Sequence, residues 1–460
     1  MKPSRASYPC QRAAMANGHL WLATYVFSFI SIQREGIGSI KRKKFVAMAL
    51  VLMIIGVGIL WELGLNKAPE ENADVILTER LTASRSASDI FVVRNTSGND
   101  GGVGELINLM GNKGLLFYKS PKLSKNKGPT GLIAGDDVII VKVNSQWDER
   151  GGTNTDLLKA LLESIVNHPD GFTGEIIVAD NGQAQYGSSG TGGSLDWSRN
   201  NAEDQSQSVL KVVGMFSGSY KLSTYLWDTI TRKQVYEYDK NDMEDGYVVN
   251  STVNPRTGIM VSYPKFRTKF GTYVSFKLGV YDPQMHIYNS GRLKVINIPV
   301  LKSHSTYGVT ACVKNYMGVL SDRLTRELGA RSHNTVGKGG MGTEMVETRF
   351  PILNILDAIW VNAVPGAGPR ASYNSATRVN VIAASIDPIA LDYWATKYIL
   401  VQIARSKGYS GTSSMDPDNT DPASFGNWLR LSMQEIRRSG YQATTDEAQM
   451  NIHVTALTQR

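Results

Sequence analysis

One stretch constrains this chain more than any other. Val138-Ile139-Ile140-Val141-Lys142-Val143 is a near-continuous apolar run ending at Asn144. Asn154-Thr155-Asp156 then supplies a helix cap, and Leu158, Leu161, Leu162 and Ile165 follow at helical spacing. Glu175-Ile176-Ile177-Val178-Ala179 is a second buried-strand run, ending at Asp180-Asn181-Gly182. Strand, helix, strand predicts a β-α-β unit, and hence an α/β fold with a mostly parallel sheet flanked by helices.

The rest of the body reads in the same alphabet. Residues 293–300, 352–361 and 378–384 are further strands. Asp387-Pro388 opens a helix, with Asp as cap and Pro at the first helical position, and a last helix spans Ser424–Arg438. Residues 220–292, rich in Tyr, Val and Thr with frequent turns, predict an antiparallel β-rich insertion, whose Tyr225, Trp227, Tyr236, Tyr238 and Tyr247 suit either sugar stacking or core packing. Arg331–Met345, with four glycines, predicts a flexible loop, and 441–460 a C-terminal tail.

The N-terminal part is different. Lys41-Arg42-Lys43-Lys44 precedes a charge-free apolar run from Phe45 to Trp61. A basic cluster before such a run predicts a transmembrane signal-anchor helix over 45–65, with the basic flank cytoplasmic. No small-residue cleavage signal follows, so the anchor is expected to stay uncleaved. Residues 66–90 then form a polar tether, and the body from 91 to 440 is membrane-anchored and extracytoplasmic, in the periplasm or at the cell surface. Residues 1–44 are expected to be a cytoplasmic segment, or an extension ahead of a natural start near 37–41.

Charge supports this partition. The formal net charge is +8, with 49 Lys and Arg against 41 Asp and Glu. Most of that excess precedes residue 68, where Lys2, Arg5, Arg12, Arg34, Lys41–Lys44 and Lys67 oppose only Glu35 and Glu62. The body is nearly neutral, which argues against a nucleic-acid partner. Two cysteines, Cys10 and Cys312, exclude a disulfide framework and an iron–sulfur cluster of the ferredoxin type. HExxH and GxSxG signatures are absent.

In open parallel sheets ligands bind at the carboxyl ends of the strands. Lys142 and Asn144, Asp180 and Asn181, Lys302 and His304, and Ser385 and Asp387 all fall there. Lys302, Lys314 and Asn315 suit an anionic small molecule or an envelope glycan or lipid headgroup. In this reading Lys302 and His304 are catalytic, His304 as general acid or base, with Asp387 or Asp392 orienting it or holding a metal. Lys142, Asn144, Asp180, Asn181, Lys314, Asn315 and Asp392 bind the ligand. A divalent metal on His304, His333 and Asp357 is a further expectation. A non-catalytic binding protein and a structural envelope protein are the alternatives.

The ordered blocks Ile298-Pro299-Val300-Leu301-Lys302-Ser303-His304, Gly308-Val309-Thr310, Val313-Lys314-Asn315-Tyr316-Met317-Gly318-Val319 and Ile382–Asp392 resemble the domain of unknown function 362. Val141-Lys142-Val143-Asn144 and Gly366-Ala367-Gly368-Pro369 extend the resemblance, which covers roughly residues 90–410. It implies an α/β domain found in bacteria and archaea, often exported and sometimes joined to ferredoxin modules that this chain's cysteines do not supply. Carried onto these blocks, it implies a site at Lys142, Asn144, Lys302, His304, Lys314, Asn315, Asp387 and Asp392. No reaction comes with it.

Overall fold

The structure, a computed structural model, describes residues 87–183, 193–239 and 241–458. The expected tail-to-anchor segment, 1–65, and most of the tether lie outside them. Among the described residues no helix is long and apolar enough to cross a membrane.

The strands are β1 (Ser88–Arg94), β2 (Val138–Lys142), β3 (Glu175–Asp180), β4 (Leu222–Leu226), β5 (Gly246–Val249), β6 (Ser262–Arg267), β7 (Tyr273–Ser275), β8 (Gly279–Asp282), β9 (Ile287–Asn289), β10 (Leu293–Asn297), β11 (Val300–His304), β12 (Gly308–Thr310), β13 (Leu353–Asn362), β14 (Thr377–Ser385) and β15 (Met450–Ala456). A further short pair joins Tyr118–Lys119 to Lys127–Gly128. The helices that matter here are α1 (Gly102–Asn112), α2 (Thr155–Val166), α3 (Cys312–Asn315), α4 (Gly340–Glu347), α5 (Pro388–Ala395) and α6 (Phe425–Arg438).

The main sheet runs β15-β1-β14-β13-β10-β2-β3-β4, with β11 beside β13 and β12 beside β11. Pairings β13–β10, β10–β2, β2–β3 and β3–β4 are parallel, whereas β14 runs antiparallel to both its neighbours. The fold is therefore mixed α/β with a large, mostly parallel sheet. Strand alternation sorts the core into two layers. Ile139, Val141, Ile176 and Val178 face α1 and α2, through Leu106, Leu158, Leu161, Leu162 and Ile165. Ile140, Ile177, Val295 and Leu356 face the opposite way, toward Cys312, Met341 and Trp428 on α3, α4 and α6. Asn154 caps α2 as its position suggests, its side chain accepting from the Asp156 and Leu157 N–H groups.

Three local expectations change. Leu222–Leu226 belongs to the main parallel sheet, so the antiparallel insertion is the separate sheet β9-β8-β7-β6-β5. Its aromatics are core: Trp227, Tyr238 and Tyr247 are buried and Tyr225 half-buried, leaving Tyr236 exposed. Arg331–Met345 is not a loop. A 3-10 turn over Ser332–Lys338 leads through Gly339, at φ 82°, into α4. There Gly340 and Gly342 allow close approach to Thr335 and to the Ser432 backbone on α6. The C-terminal tail supplies an edge strand, β15, parallel to β1.

Candidate functional site

Three of the four strand ends converge on one cavity, those of β2, β3 and β11, whereas Ser385 and Asp387 are not among its described lining residues. Lys142 closes β2 and Asp180 closes β3, and register pairs Lys142 with Ala179. Their side chains meet in a buried ion pair, Nζ to Oδ1 2.6 Å. Lys142 Nζ also donates to the Val143 carbonyl at 2.8 Å. Asp180 Oδ2 accepts from the Ser145 N–H at 2.7 Å and its hydroxyl at 3.0 Å. Burial pushes the Lys142 amine below its ordinary range, and Asp180 opposes that shift. The chain passes this pair at Gly318, where a Cβ would lie 2.0 Å from Asp180 Oδ1 and 2.5 Å from Lys142 Nζ. Only glycine fits there.

Asn181 is a tie rather than a free ligand. Its amide nitrogen reaches Tyr247 Oη at 2.7 Å, Thr231 Oγ1 at 3.0 Å and the Leu320 carbonyl at 3.0 Å, joining the sheet to the insertion. Gln183, which the sequence did not single out, bridges the same turn. Its Oε1 accepts from the Asp322 N–H at 2.7 Å and its Nε2 donates to the Leu320 carbonyl at 2.7 Å.

Lys302 and His304 end β11, and Lys314 and Asn315 lie on α3. Lys302 is buried, and its Nζ donates to the Gly151 carbonyl. Burial and the neighbouring Lys314 charge bring its amine down to about 7, against the pull of Asp180 and Asp357. Burial alone brings Lys314 to about 7, with Asp322 opposing. Lys314 Nζ stands 5.3 Å from the Tyr307 ring centre. Neither lysine has a carboxylate partner within ion-pair distance among the described residues.

His304 Nδ1 accepts from the Thr306 N–H at 3.1 Å and the Tyr307 N–H at 3.2 Å. The proton of the neutral ring therefore sits on Nε2. Burial and the Lys314 charge hold the ring well below the usual histidine range. His304 thus presents its Nε2–H to the cavity. His333 is near: Tyr307 lies between the two rings, tilted to His304 at 5.3 Å and edge-on to His333 at 5.2 Å, and its hydroxyl donates to the His333 carbonyl at 2.6 Å. Burial and Lys314 push the His333 ring down to about 4.

The remaining carboxylates are elsewhere. Asp387 is the cap of α5: Oδ1 accepts from the Ile389 and Ala390 N–H groups, and Oδ2 from Ser88 Oγ and the Thr444 N–H. Burial pushes it up to about 6. Asp392 accepts from the Cys312 N–H at 2.7 Å and the Val313 N–H at 2.9 Å. It caps α3 from outside and so fixes the helix that carries Lys314 and Asn315; burial raises it to about 7. Asp387 is thus the cap the sequence predicts, and neither Asp387 nor Asp392 is among the described residues lining the crevice. Asp357 accepts from the Asn154 N–H, Asn201 Nδ2 and the Ile359 N–H. The set His304, His333 and Asp357 is not assembled, because this carboxylate is committed to those loops. Among the described residues no three His, Cys, Asp or Glu side chains gather as a metal site.

What is assembled is a cavity of about 220 Å³. Lys142, Asn144, Asp180, Asn181, Lys302, His304, Lys314, Asn315 and His333 line it. So do residues not named as site candidates: Gln146, Trp147, Gln183, Ser305 and Thr306, together with Thr310, Met317, Gly318 and Pro369 from the quoted blocks. Thr310 was findable in principle, since it pairs with Lys302 across a tight β-hairpin. Asn144 Oδ1 and Thr310 Oγ1 are buried without a hydrogen-bond partner among the described residues. Asn315 is oriented by Asn297, Nδ2 to Oδ1 2.8 Å, and Asn297 by Asn354 at 2.9 Å. Asp180, already held by Lys142 and Ser145, is the one carboxylate among the described lining residues. The wall is therefore cationic, with unused polar atoms.

Comparison with known proteins agrees with the sequence blocks. The chain is 33% identical over 136 residues to a thylakoid-associated protein of Synechocystis sp., an alignment covering 27% of this chain. It spans about 40% of that relative's length. No solved structure matches. Residues 292–397, the segment from β10 to α5 that carries Lys302, His304, Lys314 and Asn315, match the family described as Domain of unknown function (DUF362). The segment similar to that family supplies the cationic half of the crevice.

Proposed function

We propose that this is a membrane-anchored, extracytoplasmic protein whose crevice binds a small anionic molecule and acts on it as an enzyme. The observation that carries the reading is the pair Lys302 and Lys314, buried on one cavity without a carboxylate partner among the described residues. A buried amine without a counter-charge is unfavourable when protonated, and a bound phosphate or carboxylate supplies the missing charge. Asn144 Oδ1 and Thr310 Oγ1 offer further contacts to the ligand's polar groups. His304 Nε2–H is aimed as a neutral donor, suited to polarising a carbonyl or phosphoryl oxygen. The membrane part of the reading rests on Lys41–Lys44 ahead of the apolar run 45–61. The relative's association with thylakoids is in keeping with it.

The test is thermal denaturation of the full chain with inorganic phosphate and a panel of small carboxylates. Stabilisation by one class is expected, and loss of it in Lys302→Met and Lys314→Met. A charged hydrogen bond is worth about 1.5–3 kcal/mol, so each variant should weaken affinity roughly ten- to a hundredfold. No stabilisation by any anion, together with greater stability of Lys302→Met, would refute the reading.

A further inference from the structure

We infer that the crevice reacts covalently with its ligand: the Lys302 amine adds to the carbonyl carbon of a small oxo acid, whose acid group the Lys314 ammonium holds. The inference rests on the crevice being an anion site and goes further by naming the substrate class. Its ground is the unlike surroundings of two neighbouring amines. Among the described residues Lys302 Nζ has a single hydrogen-bond partner, the Gly151 carbonyl, which an uncharged N–H serves and which leaves the nitrogen lone pair available. Lys314 instead faces the Tyr307 ring, whose π face favours the ammonium form. The other charged groups acting on them point the same way. Asp322 favours charge on Lys314, while Lys314 and Lys142 disfavour it on Lys302. Asp180 and Asp357 oppose this, but both are engaged, with Lys142 and Ser145 and with Asn154, Asn201 and Ile359. The Gly151 contact leaves Lys302 a lone pair for attack, and the Tyr307 face favours its neighbour as the cation and acid. This is the arrangement that imine formation on lysine uses.

The step balances within the cavity. The Lys302 nitrogen lone pair forms the C–N bond while the C=O π pair moves onto oxygen, which His304 Nε2–H polarises. A proton passes from that nitrogen to the oxygen, giving the carbinolamine. Lys314 then protonates the hydroxyl, the C–O bond breaks, water leaves and C=N forms. Amine, carbonyl compound and Lys314 ammonium become iminium, water and Lys314 amine. Exclusion of bulk solvent around the buried amine favours this condensation.

The full chain is treated at pH 7 with cyanoborohydride and limiting formaldehyde or glyoxylate, and modified lysines are mapped by mass spectrometry. Lys302 is expected to be modified about tenfold faster than exposed lysines, because a larger neutral fraction outweighs its lower basicity. Glyoxylate is expected to widen that preference by a further factor of about ten, since its carboxylate binds Lys314. Lys314→Met should remove the glyoxylate advantage and also slow formaldehyde labelling, since the acid for water loss is gone, and Lys302→Arg should abolish labelling at 302 by either reagent. The wild-type map alone decides the matter if either variant fails to fold. Labelling of Lys302 no faster than of surface lysines overturns the inference, as does labelling with no glyoxylate preference. If phosphate stabilises the chain while Lys302 stays unlabelled, the anion site stands and the covalent step falls. If neither occurs, both fall.

Discussion

Gly318→Ala tests the geometry of the crevice without touching a charged group. The added methyl would sit 2.0 Å from Asp180 Oδ1 and 2.5 Å from Lys142 Nζ, more than an ångström inside van der Waals contact with the first. The ion pair at 2.6 Å is fully buried and cannot slide into solvent. Either the pair separates or the turn that follows α3 moves, carrying the Asn181 N–H off the Gly318 carbonyl, now 3.1 Å away. Breaking a buried pair costs about 3–5 kcal/mol, and simple overpacking about 1–3 kcal/mol. A loss of about 3 kcal/mol is the expected outcome, read as a fall in the urea midpoint of roughly 1 M for a slope near 3 kcal/mol/M. Gly104→Ala is the control. That glycine lies within α1, its Cβ meets nothing within 4 Å, and alanine there should be neutral or stabilising by up to about 1 kcal/mol. Equal midpoints for the two variants would refute the claim that the Lys142–Asp180 pair leaves no room at this turn.

Three further outcomes follow from the site. Anion affinity, measured by calorimetry, should fall as pH rises through about 7, because Lys302 and Lys314 lose the charge that binds the ligand; an affinity flat from pH 6 to 8 contradicts this. His304→Gln should keep most of the affinity, since its amide N–H replaces Nε2–H, whereas His304→Ala should lose about tenfold; equal losses would show that donation from this ring is unimportant. Asp392 has its folded-state pKa raised from 3.8 to about 7, so the folded state binds more protons than the unfolded one between those values and stability falls as pH rises across them. Asp392→Asn should flatten that part of a denaturation profile while weakening the cap on α3 by about 1 kcal/mol, and an unchanged slope would count against it.

How much of this was legible depended on what each signal measured. The β2-α2-β3 unit was readable because apolar spacing reports directly on burial, and the strand ends carried the site with them. Lys142, Asp180, Lys302 and His304 were found that way, and Lys314, on α3, by its closeness in sequence to Lys302 and His304. The errors have one source, which is that a polar residue type does not declare its partner. Asp387 and Asp392 look like site carboxylates, yet backbone N–H groups claim them. Asp357 sits on the strand beside Lys302 but its oxygens face the loops at 154 and 201. The glycines of 337–342 read as looseness and turned out to be tightness, because small residues also permit close helix packing. Trp147, Gln183 and Met317 line the cavity from turns whose path no local pattern encodes.

The partners of β1 give the order in which this sheet is finished. Phe91 lies against Ala384 on one side and His453 on the other, and Ser88 reaches Asp387 across 299 positions of chain. At about 5–20 residues per second, a ribosome needs roughly 15–60 s to deliver β14 after β1 has emerged. Throughout that interval the strand Ile90-Phe91-Val92-Val93 has no ladder to join, and its apolar side chains must be kept from other chains. The crevice strands β2 and β3 are neighbours in sequence and pair early. The earliest-made strand of the sheet is therefore among the last to be locked, and a holding chaperone during synthesis would matter most for this end of the domain.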